Sequence, residues 1–191
     1  MKPEIKFKQT CFLLLPLVIA QVGIAQMPQL LAAQGVIASP QVPEKLKVPP
    51  NQVLLLKQRA KGVQIYECKV KLGNANQFEW TFVAPEANLF DEQGKNNIKH
   101  YAGPTWEAND GSKVVGQVKQ SFDSPNPKAI SWLLLQAKSH EGNGILSKVT
   151  YIQRANTLGG KSLVQRCDQK SIGTQKRVNY TSDYFFYGTS P

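Results

Sequence analysis

The stretch QFEWTFVA, residues 77–84, decides the fold class. Aromatic residues occupy every second position from Phe78 through Trp80 to Phe82, with Glu79 and Thr81 between them. Successive side chains of a β-strand point to opposite faces, so this alternation predicts a strand with one apolar face. We expect the three aromatic side chains to lie in the core.

Similar segments recur along the chain. Alternation, or a high content of β-branched and aromatic residues, predicts further strands in GVQIYECKV (62–70), KVVGQVKQSF (113–122), AISWLLLQAKS (129–139), GILSKVTYIQRANT (144–157) and RVNYTSDYFFYG (177–188). VLLLKQRA (53–60) could form a short helix or a strand, and we favour a strand. Residues that favour tight turns separate most of them, in DEQG (91–94), NDGS (109–112), DSPNP (123–127), HEGNG (140–144) and LGGK (158–161). Many short strands without an amphipathic helix predict an all-β protein, a single antiparallel β-sandwich or barrel-like domain.

The first 25 residues have the pattern of a secretory signal peptide. Three lysines, Lys2, Lys6 and Lys8, precede the apolar run CFLLLPLVIA (11–20), and small residues follow up to Ala25. The run is shorter than the roughly 20 residues that cross a bilayer. We therefore predict cleavage after Ala25 and a secreted or periplasmic protein. An uncleaved membrane anchor is the alternative.

The remainder divides into two parts. Residues 26–50 are rich in proline, which predicts a flexible leader. Residues 51–191 are long enough for a single β domain with one core. We find no later segment of membrane-spanning length, so the mature chain is predicted to lack a transmembrane segment.

Two cysteines, Cys68 and Cys167, remain after removal of the signal peptide. An even number of cysteines in an exported chain predicts a disulfide. The bridge would connect the beginning of the domain to a point near its end. We interpret it as structural.

The chain is basic, with 23 Lys and Arg against 13 Asp and Glu and a formal net charge of +10. The basic residues are spread over many segments without a run such as KKRK, and no nucleic-acid-binding motif occurs, so we predict no nucleic-acid partner. A solvated basic surface is the simplest interpretation. An anionic polymer of the cell envelope is a candidate partner.

The segment HYAGPTWEANDGSKVVG (100–116) concentrates the candidate site residues. NDGS suits a turn with positive φ, which predicts a hairpin and makes Asp110 a turn residue. His100, Tyr101, Trp106 and Glu107 remain as candidate ligand-binding residues. Trp106 and Glu107 should face opposite sides of a strand. Trp106 is either a core residue or, with Tyr101, a stacking platform for a sugar or another flat ligand.

Enzymatic alternatives have weaker support. A hydrolase could use His100 with Glu107 or Asp110, but the sequence contains no GxSxG motif and shows no convergent carboxylate pair. The mature chain has only His100 and His140 as imidazole ligands, and it lacks HxH, HExxH and CxxC spacings. We therefore predict no metal and no cofactor.

Taken together, these segments resemble the Domain of Unknown Function 3455 family. The resemblance is carried by GVQIYEC (62–68), WTFVAPEANLFD (80–91), residues 100–116, AISWLLLQAKS (129–139), GILSKVTYIQRANTLGG (144–160), Cys167 and YTSDYFFY (180–187). It implies an exported bacterial or fungal protein. It implies no activity, substrate or cofactor, because none is established for the family.

The preferred hypothesis is a non-enzymatic ligand-binding module at or outside the cell envelope. A saccharide is one candidate ligand, and His100, Tyr101, Trp106 and Glu107 are the candidate contacts. The extracytoplasmic hydrolase is the first alternative. The second is a structural domain in which residues 100–116 form only a framework hairpin.

Overall fold

The computed structural model describes Met1, Glu4 and residues 38–162 and 167–189. The chain divides into two units, Met1–Gly35 and Val36–Pro191, and the sheet described below belongs to the second. Apart from its first and fourth positions, the predicted signal peptide lies outside the described residues. Within these residues, no helix has the length and apolar character needed to span a bilayer.

An antiparallel sheet forms the domain and confirms the all-β prediction. The described part of the chain contains eight strands: β1 (Gln52–Lys71), β2 (Asn74–Phe90), β3 (Asn96–Tyr101), β4 (Thr105–Ala108), β5 (Lys113–Phe122), β6 (Trp132–Glu141), β7 (Tyr151–Gly159) and β8 (Gln175–Thr189). Each strand pairs with the next, and β8 pairs with β1, so the sheet closes into a barrel. The described residues also form two single-turn 3-10 helices. Glu44–Leu46 precedes β1, and Gln169–Ser171 lies between β7 and β8 in sequence.

Three strands continue past the closed ring. β2 pairs with β3 only over residues 87–90, and β8 pairs with β7 only from Tyr180 onward. Outside the ring, residues 63–71 of β1 therefore pair with β2 on one side, and residues 63–67 pair with β8 on the other. We call this three-stranded part, residues 63–71, 74–86 and 175–179, the extension.

Alternation along β8 separates the interior of the barrel from its outer surface. Tyr184 and Phe186 lie in the main core together with Trp106, Leu135 and other buried residues. Phe185 and Tyr187 point the other way into a second cluster. Both faces of this strand are buried, so the aromatic run at its end fills two separate cores.

Residues 38–50 contact the outer surface of the barrel. Val42 and Val48 pack against the outer cluster, and Leu46 is fully buried. The side chain of Gln153 donates a hydrogen bond to the carbonyl of Leu46. These residues lie in the predicted leader, whose boundary at residue 50 stays a prediction.

The aromatic residues that revealed the strand pattern are not in the core, so that expectation was wrong. Phe78 and Trp80 are only partly buried, and Phe82 is 48% exposed. They belong to the extension, where no opposite wall of the barrel covers them. The alternation identified the strand correctly but could not show that it leaves the ring.

The prediction of a strand is also wrong for residues 144–150. They form turns, with hydrogen bonds from the Ser147 amide to the Gly144 carbonyl and from the Val149 amide to the Leu146 carbonyl. Leu146 and Val149 are nevertheless fully buried. These apolar residues therefore lie in turns that pack against the core, and β7 begins only at Tyr151.

The predicted disulfide between Cys68 and Cys167 is confirmed. Cys68 lies in the extension and is fully buried. Its backbone exchanges hydrogen bonds with the segment before β8, donating to the Thr174 carbonyl and accepting from the Gly173 amide. The bridge therefore fixes the start of the 167–174 segment beside β1.

Candidate functional site

Residues 100–116 form two successive hairpins, and the predicted turn at NDGS joins β4 to β5. Gly111 has a φ of 84°, which explains the glycine at this position. Asp110 accepts hydrogen bonds from the Ser112 amide and hydroxyl and from the Ile145 amide. These bonds, that from the Ser112 hydroxyl first, lower the pKa of the Asp110 carboxyl. Asp110 thus organises two turns, as a turn residue would.

His100 and Trp106 face the interior of the barrel. They are directly opposite in the β3–β4 register, and their rings stack with centroids 4.4 Å apart and planes 9° from parallel. Tyr184 meets both rings edge to face, at 5.2 Å from His100 and 5.5 Å from Trp106. Both His100 and Trp106 are at least 98% buried. The three rings form a rigid floor for the space above them.

The hydrogen bonding of His100 defines its tautomer. Nδ1 lies 2.9 Å from the Thr105 carbonyl oxygen, which can only accept, so Nδ1 carries the proton. Burial lowers the pKa of His100 to about 3, and the positive charge of Arg154 contributes in the same direction. The ring is neutral at neutral pH, and its Nε2 is a hydrogen-bond acceptor.

Tyr101 and Glu107 lie on the opposite, outer face of the same hairpin. The Tyr101 hydroxyl donates to Glu107 Oε2 over 2.8 Å, and this bond raises the pKa of Tyr101. Glu107 also faces the ammonium of Lys113 at 4.0 Å. The structure thus divides the four predicted contact residues into two pairs. It does not bring Tyr101 and Trp106 together on one face.

The residues of the hydrolase alternative are not brought together either. His100 is inside the barrel, Glu107 is outside it, and Asp110 is occupied in the turn between β4 and β5. Among the described residues, no three His, Cys, Asp or Glu side chains are grouped so that they could hold a metal ion. His140, the other candidate imidazole, is bonded through Nε2 to the Val149 carbonyl.

A cleft of about 520 Å³ lies above the aromatic floor and opens to solvent. Every one of the eight described strands contributes to its lining, and the contributions of β1 and β2 come from the extension. Its walls are mainly apolar, and its mouth is formed by exposed residues of the extension and of the loops, including Phe82, Ala102 and Asp123. This is the position at which small β-barrels hold ligands.

Two polar side chains that line the cleft, Arg154 and Gln64, have N–H groups with no acceptor among the described residues. Arg154 Nε and Nη2 both donate to the Ser131 carbonyl, at 3.1 and 2.8 Å, which leaves further N–H groups of the guanidinium. Gln64 is 3% exposed, and its Nε2 has no hydrogen-bond partner among the described residues. The cleft therefore combines apolar walls with a small number of available donors.

The contact residues predicted from the sequence do not include Arg154, Gln64 or Tyr184, which line the cleft. A signal for Arg154 was present, because it lies two positions after Ile152 and so shares its face of β7. Ile152 is fully buried, which places Arg154 on the inward face as well. A charged residue on the apolar face of a strand is the pattern that could have identified it.

Acid should lower the free energy of unfolding, because His100 is buried in its neutral form. The folded-state pKa of about 3 is below the ordinary value near 6.5, so the unfolded chain binds the proton first. The contribution of His100 to stability is complete above about pH 6.5 and decreases as the pH falls towards 3. At about pH 4.5 we expect a loss of roughly 3 kcal/mol. Urea unfolding at a series of pH values measures it.

The matched variant for this measurement is His100→Gln, whose amide can still donate to the Thr105 carbonyl. Its stability should decrease less steeply than that of the wild type between about pH 6.5 and 4.5. Parallel pH profiles for the two proteins would contradict the assignment of the acid sensitivity to His100.

Comparison with known proteins gives one match. A family model described as "Protein of unknown function (DUF3455)" matches residues 49–188, which include the cleft residues named above. No curated protein and no solved structure matches the chain.

Proposed function

The chain belongs to the DUF3455 family of proteins of unknown function, and we propose that its barrel binds one small, mainly apolar molecule in this cleft. The observation that carries this proposal is the cleft itself, which all eight described strands line and which opens to solvent. Its volume of about 520 Å³ is within the range of roughly 300–1,000 Å³ that is typical of small-molecule sites.

The apolar walls favour this class of ligand over a saccharide. Sugar-binding surfaces present an aromatic face to solvent, whereas Trp106 is 1% exposed and has His100 stacked on it. Leu133, Leu135 and Ile130 also line the cleft and supply aliphatic surface. A ligand would gain mainly by burying its own apolar surface against these groups.

Binding of a neutral fluorescent probe tests the proposal. N-phenyl-1-naphthylamine should bind one molecule per chain with an increase in fluorescence. Ala102→Trp should weaken this binding at least about tenfold, because Ala102 is exposed at the mouth and a large side chain there would occupy the cleft.

Ala75→Trp is the matched control, since Ala75 is exposed in the extension and does not line the cleft. It should bind the probe as the wild type does. Equal binding by the wild type and Ala102→Trp, or no saturable binding at all, would contradict the proposal.

We also propose that the protein is exported and acts at or outside the cell envelope. The Cys68–Cys167 disulfide supports this, because such bonds persist in oxidising compartments. The intact mass of the exported chain should correspond to a first residue at Gln26 and to two cysteines in a bridge. A mass that includes residues 1–25 would contradict the predicted cleavage after Ala25.

A further inference from the structure

The guanidinium of Arg154 is the feature of the cleft that an entirely apolar ligand does not explain. Arg154 is on β7, on the inward face, and is only partly exposed. Among the described residues, no carboxylate lies within ion-pair distance of it. A partly buried charge without a counter-ion is costly, so an anion at this position would be favoured.

Among the described residues, the one group that is hydrogen-bonded to the guanidinium is neutral. The Ser131 carbonyl accepts from both Nε and Nη2, so it orients the group without neutralising its charge. Asp123, which also lines the cleft, is exposed at the rim, and its Oδ1 accepts from the Ser131 hydroxyl at 3.3 Å. The described residues thus hold Arg154 in place and leave its charge available.

The neighbouring groups limit the charge of the anion that would fit. His100 is neutral at neutral pH, so it adds no positive charge. Gln64 offers one amide donor, and Lys161, the other cation of the lining, is exposed and bonded to the Pro127 carbonyl. One fixed guanidinium with neutral neighbours matches a single negative charge, and its planar N–H groups match the geometry of a carboxylate.

We propose that the ligand is an amphiphile with one carboxylate, whose carboxylate is bound by Arg154 and whose apolar part lies along the cleft. This inference rests on the proposed function and adds the class of ligand. The apolar walls provide affinity for the body of the molecule. The guanidinium selects the head group.

Competition with the neutral probe tests this selection, using decanoate and decanol as ligands of equal chain length. At neutral pH the wild type should bind decanoate about 10- to 100-fold more tightly than decanol, as expected for a hydrogen-bonded charge pair. Arg154→Met should abolish the preference, so that decanoate and decanol compete equally with the probe. Lys161→Met, which removes the other cation of the lining, should retain most of the preference.

The outcomes separate the two proposals. If the probe binds but decanoate and decanol compete equally with the wild type, the carboxylate inference is wrong and the apolar site remains. A preference that survives in Arg154→Met, or that is lost in Lys161→Met alone, also overturns it. If no neutral probe binds, the proposed function itself fails. Should Arg154→Met not fold, Arg154→Lys keeps the charge without the planar donors and should reduce the preference.

Discussion

Replacing Trp106 with alanine should lower the free energy of unfolding by about 3–5 kcal/mol, the range for removal of a large aromatic side chain from a core. Trp106 is 1% exposed and contacts His100, Tyr184 and Phe186 through ring-to-ring packing. Because the indole is held between these rings, its removal would leave a cavity that the rigid neighbours cannot easily fill.

The backbone around Trp106 explains why the structure should not collapse into this cavity. Gly116 on β5 approaches the indole so closely that a Cβ there would lie 3.0 Å from Trp106 Cζ3 and 3.3 Å from Leu135 Cδ2. The strands on both sides of Trp106 belong to the closed barrel, so neither can move inward alone. Equilibrium unfolding in urea measures the loss.

Phe82→Ala is the comparison variant, since Phe82 is also aromatic and on a strand but is 48% exposed in the extension. Phe82→Ala should lower the free energy of unfolding by less than about 1 kcal/mol, as most substitutions away from a core do. If the two variants lose equal stability, Trp106 is not the core residue that its burial indicates.

The fold class could be predicted because β-strands impose a period of two on the side chains. The strands predicted in 53–60, 62–70, 113–122 and 177–188 lie within β1, β5 and β8. Alternation reports only that a segment has two different faces, and not what covers each face. Closure into a barrel depends on pairing between β1 and β8, which are distant in sequence, so no local pattern could reveal it.

The same limitation explains the errors in the core. The aromatic face of residues 78–82 has the alternation of a buried strand, yet it extends past the ring. Conversely, Leu146 and Val149 are buried from turns, where no period applies. Burial depends on what lies opposite a residue, and that is a property of the complete sheet.

The candidate site could be predicted in part. The alternation that separates Trp106 from Glu107 was visible in the sequence, and the structure places them on opposite faces of β4. The residues near His100 and Trp106 come from other strands. Tyr184, which packs on His100, is on β8, and Arg154, which lines the same cleft, is on β7. The cleft combines residues of eight described strands, so a motif within 100–116 could supply only one wall of it.

Removing the disulfide with the double variant Cys68→Ser, Cys167→Ser should lower the free energy of unfolding by about 2–5 kcal/mol. The two cysteines are 99 positions apart, and the loop-entropy model gives about 4.7 kcal/mol for a loop of roughly 100 residues. The effect would arise mainly in the unfolded chain, which becomes less restricted. The denaturant m-value should therefore increase with the loss of stability, because the unfolded state exposes more surface.

Asp168→Ala separates this effect from a loss of native contacts in the same segment. Asp168 accepts hydrogen bonds from the Lys170 amide and the Ser171 hydroxyl, so the variant loosens the 3-10 turn next to Cys167 and keeps the bridge. We expect a cost of about 1 kcal/mol, as for loss of a capping side chain, with an unchanged m-value. Wild-type protein treated with a reductant should unfold as the double variant does. If the double variant instead behaved as Asp168→Ala does, with a small loss and no change in m-value, the bridge would act only as a local contact.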